Sequence, residues 1–251
     1  MGLRSRLGVG VLRVSHWMRA SIPSLLPAGA AVEYNAYVFG RLLPVYIAAA
    51  DDGLADGECR LMDRFHVQSG RALCLGCGTG RESFALARRG LDVVGVDQVQ
   101  AFVDHATALA DTHHLSATFL RADYSQFDLP GQTFDYAFLL NCAFSYLPTR
   151  QRRRALLTRL RGLLNPGGLC MLHYVVREPD DDDRRLYPVW RRLARLSGNR
   201  DYEFGDRITM ENAFTHCFSS DDDVRVEAEA CGFRRMEFSI EDGSHFAVLF
   251  A

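Results

Sequence analysis

Ala72-Leu73-Cys74-Leu75-Gly76-Cys77-Gly78-Thr79-Gly80-Arg81-Glu82-Ser83 is the stretch that decides the fold. An apolar run of β type enters a turn with glycine at alternate positions, and helix-forming residues begin at Arg81. A glycine turn lets a ligand lie against bare backbone, because no Cβ stands in the way. The helix opening behind it offers unpaired N–H groups to that ligand. Asp97 then closes a second apolar run, Leu91 to Val96. An acidic residue at the end of that strand can accept both hydroxyls of a ribose. These features together describe a site for a nucleoside cofactor.

Spacing selects among such cofactors. The dinucleotide fingerprint G-x-G-x-x-G puts its third glycine where the helix packs closely and a pyrophosphate approaches. That position here is Arg81, and the glycines fall at Gly76, Gly78 and Gly80. Further segments follow in order. Thr118 to Leu120 runs into Arg121-Ala122-Asp123-Tyr124, and Phe134-Asp135-Tyr136-Ala137-Phe138-Leu139-Leu140-Asn141 comes next. A helical stretch, Arg152 to Leu164, leads through Leu164-Asn165-Pro166-Gly167-Gly168 into Leu169 to Val176. Over roughly residues 71–176 the chain resembles the class I (Rossmann-like) S-adenosylmethionine-dependent methyltransferases, of the bacterial small-molecule type.

The resemblance implies S-adenosyl-L-methionine as cofactor. It carries the cofactor contacts onto Gly76, Cys77, Gly78 and Gly80 of the turn, Asp97 and Gln98 beside the ribose, Asp123 and Tyr124 beside the adenine, and Asn141. One position departs from the family pattern. Two residues before the first glycine the family has Asp or Glu, which helps to hold the cofactor's ammonium group, and this chain has Cys74. Backbone carbonyls of the turn can still accept those protons. Glu82 could supply the missing acid, and it reads equally as a favourable charge at a helix N-terminus.

Alternation of strands with helices Arg81 to Arg89 and Ala101 to Thr112 predicts an α/β fold. The expected architecture is a doubly wound seven-stranded sheet, mostly parallel with an antiparallel last strand, and helices on both faces. Residues 1–70 are expected to form an N-terminal helical cap, 71–178 the cofactor-binding core, and 179–215 a lid or insertion. Residues 216–251 complete this single methyltransferase domain with the last helix and a closing hairpin. Ser219-Ser220 can cap that helix ahead of Asp221, Asp222 and Asp223, and Gly232 is its stop signal. Met236 to Ile240 and His245 to Phe250 read as the hairpin strands.

A chain of 251 residues with 48% hydrophobic content can bury a sizeable core. Its formal charge of −2 gives no electrostatic reason to expect nucleic acid. All 29 basic residues are arginine, as expected of a GC-rich bacterial genome. Seven scattered cysteines suit a reducing cytoplasm rather than a disulfide framework. Cys74-x-x-Cys77 straddles strand and turn and reads as two small residues in a tight bend, and His113-His114 point apart, so no metal site is expected. Arg13, His16 and Arg19 interrupt the first apolar run, so stable membrane insertion is not expected.

The sulfonium methyl group is already electrophilic, so the protein has mainly to align an acceptor and exclude water. A base is needed where the acceptor must lose a proton. His173, on the fifth strand, and His216, before the last helix, are the candidates for that role. Phe144, Tyr146 and Tyr37 are the candidates for substrate contact. Asn141-Cys142-Ala143-Phe144 lacks the proline pair of base-modifying amino methyltransferases. The arginine- and aromatic-rich segment Arg184 to Phe214, with acidic neighbours, suits an anionic or aromatic small molecule better than RNA. The expected activity is methyl transfer to an O or N atom of a small-molecule acceptor by a cytoplasmic monomer or homodimer. The alternatives are a methyltransferase acting on RNA or protein, and a non-catalytic S-adenosylmethionine-binding protein.

Overall fold

The computed structural model describes residues 17–19, 21–177, 183–209 and 212–251. The segment 1–16 and the acidic residues 178–182 lie outside the described residues, so the readings made of them are not taken further. Seven strands form one sheet: β1 (Gly70–Leu75), β2 (Leu91–Asp97), β3 (Ala117–Arg121), β4 (Phe134–Leu139), β5 (Leu164–Tyr174), β8 (Arg235–Glu241) and β9 (Ser244–Phe250). Their order is β3-β2-β1-β4-β5-β9-β8. Strands β1 to β5 are parallel, and β9 runs antiparallel to both neighbours. The expected doubly wound sheet is therefore present, and strand order reverses between β1 and β4. A crevice opens at that reversal, beyond the carboxyl ends of the strands.

Alternation within β1 divides the core. Leu73 and Leu75 face the layer that contains Phe144, Leu156, Leu160 and Phe233. Ala72 and Cys74 face the opposite layer with Leu61, Met62, Phe138 and Met171. Burial on both faces explains why these parallel strands read as nearly continuous apolar runs. Helix α4 (Arg81–Arg88) follows β1 and α5 (Gln100–Thr112) follows β2. Gly80, at φ +98°, starts α4; a Cβ there would lie 2.5 Å from the Phe84 ring.

Three helices precede the sheet: α1 (Ala28–Arg41), α2 (Leu43–Ala48) and α3 (Asp56–Arg64). Helix α6 (Arg150–Leu163) joins β4 to β5, and α8 (Asp221–Ala230) precedes β8. Between β5 and α8 lie α7 (Asp183–Leu196) and a separate antiparallel ribbon of β6 (Asp206–Ile208) and β7 (Phe214–His216). Two local expectations change. Strand β5 starts at Leu164, not Leu169, because Leu164 pairs with Phe134 before the register shifts at Tyr136, so Asn165 to Gly168 bulge within the strand. Ser220 makes no side-chain cap on α8; the Asp223 carboxylate accepts the Ser219 N–H instead, at 2.8 Å.

Long-range polar contacts fix the α7–ribbon segment. The Asn35 amide pairs with both backbone groups of Phe214, accepting from its N–H at 2.7 Å and donating to its carbonyl at 3.0 Å. Asn199 donates to the carbonyls of Pro23, Ser24 and Leu26. Arg153 of α6 is fully buried and donates to Glu203 beside the ribbon at 2.8 Å and to Glu227 of α8 at 2.8 and 3.0 Å. Removing one partner of a buried ion pair leaves the other charge without solvent or counter-ion, at a cost of about 3–5 kcal/mol. Arg153→Ala is expected to lose stability on that scale in urea unfolding. A loss no larger than that of a surface substitution would show that the pairing is not what holds the segment.

Candidate cofactor site

The glycine turn leaves β1 with Gly76 at φ +67° and Gly78 at φ +54°. A Cβ on Gly76 would stand 3.2 Å from the Ala143 Cβ, and one on Gly78 3.5 Å from the Tyr46 ring. The Gly76 and Cys77 N–H groups donate to the Val96 carbonyl at 2.8 and 3.2 Å, tying the turn to β2. One oxygen of Asp97 accepts the Gly78 N–H and the other accepts the Val99 N–H, both at 2.9 Å. Burial pushes the Asp97 carboxyl above its ordinary range, and those backbone bonds oppose the shift.

Two clefts meet at this turn and share Tyr46, Gly76, Gly78 and Asn141. The first is narrow, with a cavity volume of about 50 Å³. Asp97, Gln98, Val99 and Phe102 line one wall, and Asp123 and Tyr124 line another. Val32, Asn35 and Phe39 of α1 close it, with Tyr146 at its side. Asp123 accepts from the Ser125 N–H at 2.9 Å and from Arg152 at 3.2 Å, and the Tyr124 hydroxyl donates to the Ala143 carbonyl at 3.1 Å. The second cleft runs under Leu42, Val45 and Ala49, with Cys77, Thr79, Arg81 and Glu82 on its floor. Thr79 donates to the Tyr46 carbonyl at 2.8 Å, which fastens the helical cap to the turn.

At the end of β4, Asn141 and Cys142 take φ +48° and +61°, so two consecutive non-glycine residues turn left-handed. Such conformations cost about 1–3 kcal/mol each and collect at functional sites. The Cys142 Sγ lies 3.4 Å from Nε2 of His173, whose ring packs on Phe246. Burial and the nearby Arg81 guanidinium lower the His173 pKa to about 4, so its imidazole is neutral at pH 7. Cys74 is sealed in the core, and burial pushes its thiol up to about 12.

Five expected site residues line neither cleft, and His173 is one of them, reaching the site only through Cys142 beside Asn141. His216 is buried in the β6–β7 ribbon, 2.7 Å from Asp206; burial and Arg153 lower its pKa to about 3, and it lines neither cleft. Phe144 is fully buried and stacks on Phe218 at 5.6 Å, so it is a core side chain. Tyr37 faces solvent and accepts a hydrogen bond from Arg41. Gly80 serves the helix start, lining neither cleft. Val32, Asn35, Phe39 and Phe102 had not been singled out from the sequence. The signal for the first three was the helical spacing i, i+3, i+7 in α1. Among the described residues, no group of His, Cys, Asp and Glu could hold a metal ion, and no helix is long and apolar enough to cross a membrane.

Residues 72–168 match the family model described as a methyltransferase domain. That match spans less than half of the chain, and the fold is shared with structures of S-adenosylmethionine-dependent methyltransferases. It is 25% identical over 185 residues to the carboxy-S-adenosyl-L-methionine synthase of Actinobacillus succinogenes, covering 70% of this chain and 74% of that protein. A SAM-dependent methyltransferase structure from Methanosarcina mazei shares the fold at TM-score 0.62 and 17% identity, over 79% of this chain and 98% of that one. An amino pentose methyltransferase from Micromonospora echinaspora, solved with S-adenosylmethionine bound, does so at TM-score 0.57 and 20% identity, over 82% and 96%. S-adenosylmethionine is the compound that these proteins' names give, and it fits the site. Its turn would be filled by any Cβ, and carboxylates stand at the ends of β2 and β3.

Glu58 of α3 had given no sequence signal. It is buried, accepts the Ala55 N–H at 2.9 Å, and also accepts the Asn141 N–H. Burial, reinforced by the Glu82 charge, raises its pKa from the ordinary 4.5 to about 7. A raised folded-state pKa favours folding while the group is protonated. That contribution is complete below pH 4.5 and is lost as pH rises through about 7. The loss is roughly 3 kcal/mol at most. Glu58→Gln should therefore flatten the pH dependence of unfolding free energy between these values and leave the variant the more stable form at pH 8. Identical pH profiles for the two proteins would refute the burial argument.

Proposed function

We propose that this protein transfers the methyl group of S-adenosylmethionine to an O or N atom of a small-molecule acceptor. The observation that carries the reading is the pair of clefts joined at the glycine turn, with Asn141 at their shared edge and the neutral His173 imidazole one residue beyond, against Cys142. In this reading Asp97 and Gln98 hold the ribose, and the Gly76–Gly78 backbone lies against the sulfur-bearing chain. Asp123 and Tyr124 flank the adenine, with Val99 and Phe102 as its apolar walls. The bound cofactor supplies an electrophilic methyl carbon.

The protein's own part is alignment and water exclusion, which α1 and α2 support by closing the clefts with Phe39, Leu42 and Val45. His173 takes up the acceptor's proton at Nε2. A pKa lowered to about 4 keeps the imidazole neutral but weakly basic, so it suits an acceptor that needs only late removal of its proton. Tyr146, on the wall of the first cleft, contacts the acceptor. Nothing in the reading needs a nucleic acid or protein acceptor, and the formal charge of −2 favours neither. A cytoplasmic monomer or homodimer is consistent with it.

A second reading follows from the likeness to a carboxy-S-adenosyl-L-methionine synthase: S-adenosylmethionine itself would be the substrate, exchanging a C–H proton for a carboxyl group supplied by a carboxylic-acid co-substrate. One assay separates the two. The protein is incubated with methyl-labelled S-adenosylmethionine and a panel of amino compounds, hydroxy compounds and carboxylic acids able to donate a carboxyl group, and the nucleoside product is identified by mass. Methyl transfer predicts S-adenosylhomocysteine and a labelled acceptor, with His173→Asn slowing turnover by about 10²–10⁴-fold. A carboxylated nucleoside would favour the second reading. Unchanged cofactor across the panel would contradict both.

A further inference from the structure

The second cleft carries charge of both signs at its inner end. Arg81 and Glu82, the first residues of α4, line it, and their side chains pair at 2.5 Å. Glu58 lies behind them, 3.8 Å from the same guanidinium nitrogen and bonded to the Asn141 N–H. Two carboxyl groups thus share one guanidinium in a half-buried setting. Glu58, with its pKa raised to about 7, is partly ionised near neutral pH, and whenever it is ionised the group is one positive charge short. A buried charge without a partner is costly, so this arrangement favours an incoming cation beside the acids and leaves Arg81 donors for an anion.

The Cys74 thiol cannot serve as that cation's partner, because the sealed sulfur carries no charge at neutral pH. Cys74 and Glu82 nevertheless line the same small void behind the turn. The second cleft joins the first at Gly76 and Gly78, so one ligand can extend from one into the other.

We propose that Glu82 and Arg81 bind the ammonium and carboxylate groups at the amino-acid end of S-adenosylmethionine, and that Glu58 is a positioning residue that holds Arg81 and the Asn141 backbone. The proposal rests on the cofactor reading above. It assigns recognition of the amino-acid end to Arg81, where this chain departs from the dinucleotide glycine fingerprint, to its neighbour Glu82, and to a helix outside the core. Arg81 then has a function in the position where a dinucleotide site needs glycine.

The test compares S-adenosylmethionine with 5′-methylthioadenosine, which keeps the nucleoside and the sulfur but lacks the amino-acid end. Both are titrated calorimetrically into the wild-type chain and into Glu82→Gln and Glu58→Gln. The wild type is expected to bind S-adenosylmethionine at least about tenfold more tightly, the scale of one charge-assisted hydrogen bond. Glu82→Gln is expected to remove most of that advantage and leave 5′-methylthioadenosine binding unchanged. Glu58→Gln should reduce the advantage partly, again without touching the nucleoside. Equal wild-type affinity for the two ligands, or an advantage that survives Glu82→Gln, would overturn the proposal while leaving the nucleoside site intact. If a variant binds neither ligand, the wild-type ratio decides. Failure of the wild type to bind either ligand would overturn the cofactor reading itself.

Discussion

The Asp97 carboxylate ties together the two strand ends from which the site is made. Its two oxygens take backbone N–H groups from opposite sides, Gly78 of the turn after β1 and Val99 before α5. Without that clamp, a left-handed glycine turn would be the most mobile piece of backbone in the crevice, since glycine loses the most conformational freedom on ordering. With it, the turn is pre-set, and each carboxylate oxygen keeps lone-pair capacity for a ligand hydroxyl. The bond network costs desolvation of a buried carboxylate, and the raised Asp97 pKa registers that cost. A group kept under such strain is more easily understood as a binding residue than as a source of stability.

Around this clamp the remaining structure acts as enclosure. The helical cap reaches the turn through Thr79 and Tyr46, and α1 reaches the ribbon through Asn35 and Phe214. The ribbon is fixed in turn to α6 and α8 by Arg153. Segments distant in sequence thus converge on the cleft by side-chain-to-backbone bonds, each replacing water on a buried polar group. The chain before β1 and the segment between β5 and α8 contribute no strand to the seven-stranded sheet, and their contacts serve mainly to close the crevice and to shape it.

What could be read from the sequence was what local pattern determines. Strand positions followed from apolar runs, the turn from Gly76, Gly78 and Gly80, and the acid of the second strand from Asp97. Strand β5 was misjudged at its start because Asn165-Pro166-Gly167-Gly168 reads as a turn, whereas pairing on both sides carries the strand through it as a bulge. The site residues that went astray depend on tertiary packing. His216 looked available until the ribbon brought Asp206 across from it, and Phe144 looked like a cleft residue until Phe218 covered it. Glu58 could not be found at all, because an acid in an amphipathic helix gives no sign that its side chain points inward.

The most direct measurement is a calorimetric titration of the protein and of Asp97→Ala with S-adenosylmethionine, S-adenosylhomocysteine and NADH. The account predicts binding of the two sulfur nucleosides and not of NADH, with loss of about tenfold or more in their affinity on removal of the Asp97 carboxylate. Binding of NADH, or an affinity for S-adenosylmethionine that Asp97→Ala leaves unchanged, would contradict it.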